Sequence, residues 1–203
     1  MEPIDTNTIG IDEVGRGAWA GPLVVAAVYF PAIPRIPENI LIRDSKKLRP
    51  QQREDSSRFI LEKAITVIES APHSLIDTIG IQAANKKLFE SAAKKILNTI
   101  CTRYPRNCVR LKIDGRRICD FSVTHEFVIK GDARLEVIAA ASIVAKVWRD
   151  HLMVRMAKKY PVYGFEQHKG YGTKQHSSAL NKYGLCAIHR RSFSPMKEML
   201  LSL

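Results

Sequence analysis

The feature that most constrains this chain is a pair of apolar, β-branched runs, Thr8–Glu13 and Leu23–Phe30, separated only by the glycine-rich stretch GRGAWAGP. Such runs are strands, and the short link between them predicts a hairpin or a tight strand pair. A loop punctuated by Pro31, Pro34 and Pro37 follows, and Pro50 suits the first position of a helix running through Ile60. Ile65–Ala71 reads as a third strand. Ser74 has the chemistry of a helix cap, and Ile81 to Tyr104 reads as a helix with Leu88, Ala92, Ile96 and Ile100 on its apolar side. Cys108–Asp114 alternates Val109, Leu111 and Ile113 with Arg110 and Lys112, a strand that ends in Asp-Gly. Phe127–Ile129 is a further short strand. Arg134 to about Tyr160 is a long, alanine-rich, buried helix, Thr173–Tyr183 is a shorter one closed by Gly184, and Ser194-Pro195 opens the last. Early strands with helices interleaved later predict an α/β domain with a mixed sheet.

At 203 residues, 45% of them hydrophobic, the chain can bury a sizeable core as a single domain. Residues 174–203 are expected as a small helical appendage to it. Lys and Arg outnumber Asp and Glu by 32 to 20, a net charge of +12, which points to an acidic partner such as a nucleic acid or simply to a basic, solvated surface. Cys101, Cys108, Cys119 and Cys186 form neither a C-x-x-C pair nor a zinc-ligand spacing, so they read as small buried hydrophobes in a reducing compartment. With no basic amino-terminal leader and no apolar run of the ~18 residues that a span needs, a cytoplasmic protein without a membrane partner is expected.

The chemistry comes from where the acids fall. Asp12 and Glu13 end the first strand, Asp114 ends another, and Asp132 precedes the long helix. Four carboxylates at element ends are what a pair of hard divalent cations requires, since such ions take oxygen ligands. Two ions together activate a water and stabilise the leaving oxygen of a phosphodiester. Asp114 before Gly115 is also an ordinary turn residue, and Asp132 an ordinary helix cap. Neighbours on a strand point to opposite faces, so Asp12 and Glu13 share a site only if the strand breaks there, which Gly15 and Gly17 favour.

The motifs that carry these acids occur in a recognisable order. Ile11-Asp12-Glu13-Val14-Gly15-Arg16-Gly17 with Ala20-Gly21-Pro22 comes first, then Asp44-Ser45-Lys46-Lys47-Leu48, Ile113-Asp114-Gly115 and Lys130-Gly131-Asp132. Ala140–Lys146 with Arg149-Asp150, His168-Lys169-Gly170-Tyr171-Gly172-Thr173 and His189-Arg190-Arg191-Ser192-Phe193 complete the set. Over nearly its whole length the chain resembles ribonuclease HII. It is less similar to the ribonuclease HIII type, which carries an extra amino-terminal domain and a differently worded glycine loop. Trp19 and Trp148 depart from the pattern in bulk, and Ala84-Asn85-Lys86-Lys87 matches only loosely.

The resemblance implies a ribonuclease H-like fold, a mixed central sheet flanked by helices with a helical carboxy-terminal part. It implies that Asp12, Glu13, Asp114 and Asp132 hold two Mg²⁺ or Mn²⁺ ions and are the catalytic residues. It further implies cleavage of the RNA strand of RNA–DNA hybrids and on the 5′ side of single ribonucleotides in duplex DNA, leaving 3′-hydroxyl and 5′-phosphate ends. Substrate contacts are implied at Gly15, Arg16, Gly17, Ser45, Lys46, Ser142, Lys146, Lys169, Tyr171 and Arg190.

Elementary chemistry suits these roles. Gly15 and Gly17 let backbone amides approach a nucleotide, Arg16 adds charge, and Tyr171 offers a flat ring and a hydroxyl to a ribose. Lys46, Lys146, Lys169 and Arg190 are natural phosphate contacts. Lys146, on a mostly apolar helix, needs a partner or a ligand. His168, His176 and His189 lack the spacing of a zinc set and are assigned to phosphate contact or structure. A second reading, a non-catalytic binder of RNA–DNA duplexes, shares the scaffold and basic surface, but the intact acid set argues for the enzyme. No protein partner is evident in the sequence, and a monomer is expected.

Overall fold

The computed structural model describes residues 1–101 and 109–201. A five-stranded mixed sheet has the order β3-β2-β1-β4-β5, with β1 Thr8–Val14, β2 Leu23–Tyr29, β3 Ile65–Ala71, β4 Arg110–Asp114 and β5 His125–Val128. β1 and β2 are antiparallel, and β4 runs parallel to both β1 and β5. Seven helices accompany the strands among the described residues: α1 Pro50–Lys63, α2 His73–Ile79, α3 Ile81–Ile100, α4 Glu136–Lys159, α5 Phe165–His168, α6 Lys174–Tyr183 and α7 Met196–Leu201. None is long and apolar enough to cross a membrane. Cys101, Cys119 and Cys186 are free thiols, while Cys108 lies outside the described residues.

The expected α/β architecture is present, with boundaries moved by local chemistry. Ser74 is not a cap: α2 begins at His73 behind Pro72, whose extended backbone makes no side-chain cap bond. Helix α4 begins at Glu136 rather than Arg134, because Gly131–Ala133 first forms a short 3-10 turn. Thr173 does cap α6, its hydroxyl accepting from the His176 amide at 3.2 Å, and Gly184 closes the helix. α3 ends at Ile100 with Cys101 in a turn, and the rest of its expected tail and the start of the strand at Cys108 fall outside the described residues.

Two compact units form, interleaved along the chain. The first comprises residues 1–14, 24–69 and 86–147, and the second 15–23, 70–85 and 148–203. Residues 174–201 fall in the second unit together with 15–23 and 70–85. In the first unit Ile9, Ile11, Leu111 and Ile113 are fully buried, and Val137–Ala145 of α4 is buried almost throughout. Full burial of such side chains contributes ~1.5–3 kcal/mol each. Gly10 makes this packing possible, because a Cβ there would lie 2.2 Å from the Val137 carbonyl oxygen. Gly10 and Asp12 share one face of β1, so the contact that needs no side chain at Gly10 brings α4 close to the carboxyl half of the strand.

Candidate active site

β1 and β4 are adjacent and parallel, with Ile11 opposite Ile113 in the register. Asp12 and Asp114 therefore emerge at the same edge, the carboxyl end of the parallel strands, where open α/β sheets place their ligands. β5 runs parallel beside β4, Asp114 pairing with Val128, and its continuation turns at Lys130 in a left-handed conformation, φ 55°. The 3-10 turn then delivers Asp132 to the edge. Its Gly131 amide donates to the Asp114 carboxylate at 2.6 Å and fixes that side chain.

Electrostatically this edge is under-compensated. Burial pushes the Asp12 carboxyl well above the usual carboxylate range, and the charges of Asp114 and Glu13 push it further. The Glu13 amide, donating at 2.7 Å, and the Ser142 hydroxyl oppose that rise. Asp114 is also raised, by burial first and by the Asp132 charge, against the Gly131 amide. Lys46, on the 3-10 turn Ser45–Lys47, places its ammonium 3.5 Å from Asp132. Burial disfavours that ammonium, but Asp132, Asp44 and Asp12 together hold its pKa above the ordinary lysine value.

Asp12, Asp114 and Asp132 thus lie along one edge, with Asp114 coupled by charge to Asp12 and to Asp132. Glu13, the next residue of β1, adds its charge at Asp12, and β1 stays in register through Val14, with Asp12 opposite Ala26 and Glu13 opposite Val25. Among the described residues no three acidic, histidine or cysteine side chains converge on a single point. Hard divalent cations remain compatible with this donor set, since Mg²⁺ is held by one or two carboxylates and completes its shell with water and phosphate oxygens. The raised Asp12 and Asp114 carboxyls are the groups whose ionised form a cation favours.

Ser45 and Ser142 are buried, their hydroxyls 3.0 Å apart, and Ser142 also bonds Asp12. They face the carboxylate rather than open solvent. Lys146 is half-buried on α4, whereas Lys46 is exposed.

The remaining candidates lie in the second unit. Arg16 and Gly17 are exposed and Gly15 is buried, with φ +88°. Lys169, at φ 52°, bonds the Glu166 carbonyl through its ammonium. Tyr171 is half-buried, its ring 5.3 Å from the Arg149 guanidinium. Arg190, expected as a phosphate contact, is instead 0% exposed, its guanidinium donating to three backbone carbonyls. Sequence reasoning missed Arg149, although the argument that a cation on an apolar helix needs partners, made for Lys146, applies to it equally.

His168, His176 and His189 are buried. The His176 Nδ1 sits 3.0 Å from the Tyr171 carbonyl, which only accepts, so Nδ1 carries the proton and Nε2 is an acceptor. His189 Nε2 therefore donates to it at 3.0 Å, leaving His189 Nδ1 to accept from the Cys186 amide at 2.9 Å. Burial pushes both histidines down to about 4, which keeps this relay neutral.

This sheet, with its acids at the carboxyl edge of parallel strands, defines the class: a ribonuclease H-like nuclease fold. The structure of RNase HII from Archaeoglobus fulgidus in its PCNA complex has the same fold, with a TM-score of 0.72, 23% identity, and coverage of 93% of this chain and 95% of that one. Bst-RNase HIII in complex with Mn²⁺ matches with a TM-score of 0.70 at 20% identity, over 96% of this chain and 69% of that one. The ribonuclease HII of Endomicrobium trichonymphae is 44% identical over 193 residues, 94% of this chain and 87% of its own length. Residues 9–196 match the sequence pattern of ribonuclease HII, and the chain belongs to that family. It is an enzyme, a ribonuclease H.

Proposed function

We propose that the protein is an endonuclease that hydrolyses RNA paired with DNA and cuts on the 5′ side of a single ribonucleotide in duplex DNA, leaving 3′-hydroxyl and 5′-phosphate ends. The observation that carries this reading is the gathering of Asp12, Asp114 and Asp132 at one sheet edge, two of them raised by burial and mutual charge. These three, with Glu13, are the ligands proposed for two Mg²⁺ or Mn²⁺ ions. Mn²⁺ in the Bst-RNase HIII structure supports the ion class. Bound there, divalent ions supply an activated water and charge stabilisation at the scissile phosphate. Ser142 holds Asp12 in place, and Lys46 turns from Asp132 to a phosphate. Arg16, Gly17, Lys169 and Tyr171 contact the nucleic acid, with Tyr171 against the ribose. A monomer acting in the cytoplasm, in ribonucleotide removal and replication, is the setting proposed. The A. fulgidus relative binds PCNA, and a partner of that kind is a proposal here.

The test is cleavage of an end-labelled DNA duplex containing one ribonucleotide, and of a continuous hybrid, with Mg²⁺, with Mn²⁺ and with chelator. Cutting at the ribonucleotide's 5′ side that stops on chelation and returns with metal is the expected result. Binding without cleavage under every metal condition would leave a duplex-binding protein instead.

A further inference from the structure

Tyr171, proposed against the ribose, stands on a loop, residues 169–173, that does not hold its shape unaided. Lys169 and Gly170 are left-handed in succession, φ 52° and 83°, and a residue with a side chain persists there only where its surroundings over-determine it. Those surroundings are imidazoles. His168 accepts from the Gly170 amide through Nδ1 at 3.2 Å, so its proton is on Nε2, which donates to the Tyr163 carbonyl at 2.7 Å. The His168 carbonyl accepts from the Tyr171 amide at 2.9 Å. His176 Nδ1 in turn donates to the Tyr171 carbonyl at 3.0 Å. The two rings stack, their centroids 4.5 Å apart and their planes 14° from parallel, so the groups that hold the loop form one packed pair.

A peptide group is planar, so fixing the peptides before and after a residue fixes its Cα and the direction of its Cβ. For Tyr171 the peptide before is held by the His168 carbonyl. The peptide after is held by His176 together with the Thr173 amide, which donates to the same Tyr171 oxygen at 3.0 Å. The Thr173 bond is local and moves with the loop, whereas the His176 bond ties that peptide to the buried side of α6. His189 completes the chain, because its Nε2 donates to His176 Nε2 at 3.0 Å and leaves His176 no choice of tautomer. The Cys186 amide sets His189 by donating to its Nδ1 at 2.9 Å. At 0% and 1% exposure, His176 and His189 make these bonds without competition from bulk solvent. A histidine that only fills space needs neither a fixed tautomer nor a direction. This one aims its single N–H at the carbonyl of the residue proposed to meet the ribose.

We infer that His176, held in one tautomer by His189, is a positioning residue that aims the Tyr171 ring and so governs cleavage at a lone ribonucleotide. The inference rests on the ribose contact proposed for Tyr171 and adds the group that sets its direction. Its effect is concentrated on the lone ribonucleotide, where a single 2′-hydroxyl must be aligned, since a continuous RNA strand offers more than one register.

The experiment measures kcat/KM on a duplex with one ribonucleotide and on a continuous hybrid, at one salt and metal concentration, for wild type, Tyr171→Ala, His176→Gln and His176→Asn, each below its melting range. In His176→Gln the amide reaches the Nε2 end, toward His189, and in His176→Asn it sits at the Nδ1 end, toward Tyr171. The ratio of lone-ribonucleotide to hybrid cleavage should fall by roughly tenfold in His176→Gln, part of the about hundredfold that ~1 Å of misplacement costs, and stay near wild type in His176→Asn. A histidine that only packs the core would lower the melting temperature in both variants and leave the ratio alone. A wild-type ratio in His176→Gln, or equal falls in the two variants, overturns the inference. Should His176→Gln fail to fold, His189→Asn decides. It keeps an acceptor at the Nδ1 end for the Cys186 amide but withdraws the donor that sets the His176 tautomer, so a lowered ratio supports the inference and a wild-type ratio overturns it. An unchanged ratio in Tyr171→Ala would instead remove the ribose contact itself, and the inference with it.

Discussion

At the residue scale the arrangement separates groups that serve the chemistry from groups that shape them. Asp12→Asn and Asp132→Asn remove the charge of two proposed ligands with little change in volume, so turnover should fall by several orders of magnitude while the melting temperature stays within a few degrees of wild type. Near-normal rates in both variants would remove the acids from the mechanism. Tyr171 is placed differently, half-buried against Arg149 and linked through its carbonyl to His176. Tyr171→Ala should reduce cleavage at a lone ribonucleotide far more than cleavage of a continuous hybrid. One ribose then supplies the only 2′-hydroxyl, and a misalignment of ~1 Å costs about a hundredfold. Equal losses on the two substrates, measured at one salt and metal concentration, would make Tyr171 a general positioning residue. The acids and Tyr171 could be nominated from the sequence because motif order names residue types. The inward turn of Arg190 was not, since nothing in a linear motif distinguishes a guanidinium that meets phosphate from one that meets carbonyls.

At the scale of elements, the site depends on how closely α4 lies on β1. Gly10→Ala puts a methyl 2.2 Å from a backbone oxygen of α4, which no rotamer relieves. Overpacking of this kind costs ~1–3 kcal/mol or more, so the melting temperature should drop by roughly 5–10 °C. Activity should drop with it even below the melting range, because Ser142 on α4 bonds Asp12 on β1. A Gly10→Ala protein with wild-type stability would mean that α4 shifts freely. The alternation of strand and helix was readable from periodicity, but the role of Gly10 was not, because it arises from a helix distant in sequence.

Across the whole molecule, the buried histidines couple stability to pH. His176 and His189 lie near 4 in the folded chain and near the ordinary 6.5 when unfolded. Their folded values are depressed, so the unfolded chain binds more protons between those limits and stability rises with pH across that window. Their contribution is present above about 6.5 and is lost as pH falls toward about 4, on the order of 3 kcal/mol for the first proton taken up by the linked pair. Thermal melts between pH 4.5 and 7.5 should show this fall in wild type and a smaller one in His176→Gln. An identical slope in the variant would place the acid sensitivity elsewhere.

The sequence alone determined the alternation of strands and helices, the mixed α/β class, the acids as candidates and the family, because periodicity and motif order are local properties written along the chain. Tertiary structure decided which candidates meet. The parallel register of β1 and β4 brings Asp12 beside Asp114. It also buried Arg149 and Arg190, giving Arg190, which read as a phosphate contact, bonds to backbone carbonyls instead. The physical reason is the same in each case: the direction of a side chain and the identity of its neighbours depend on segments far apart in sequence.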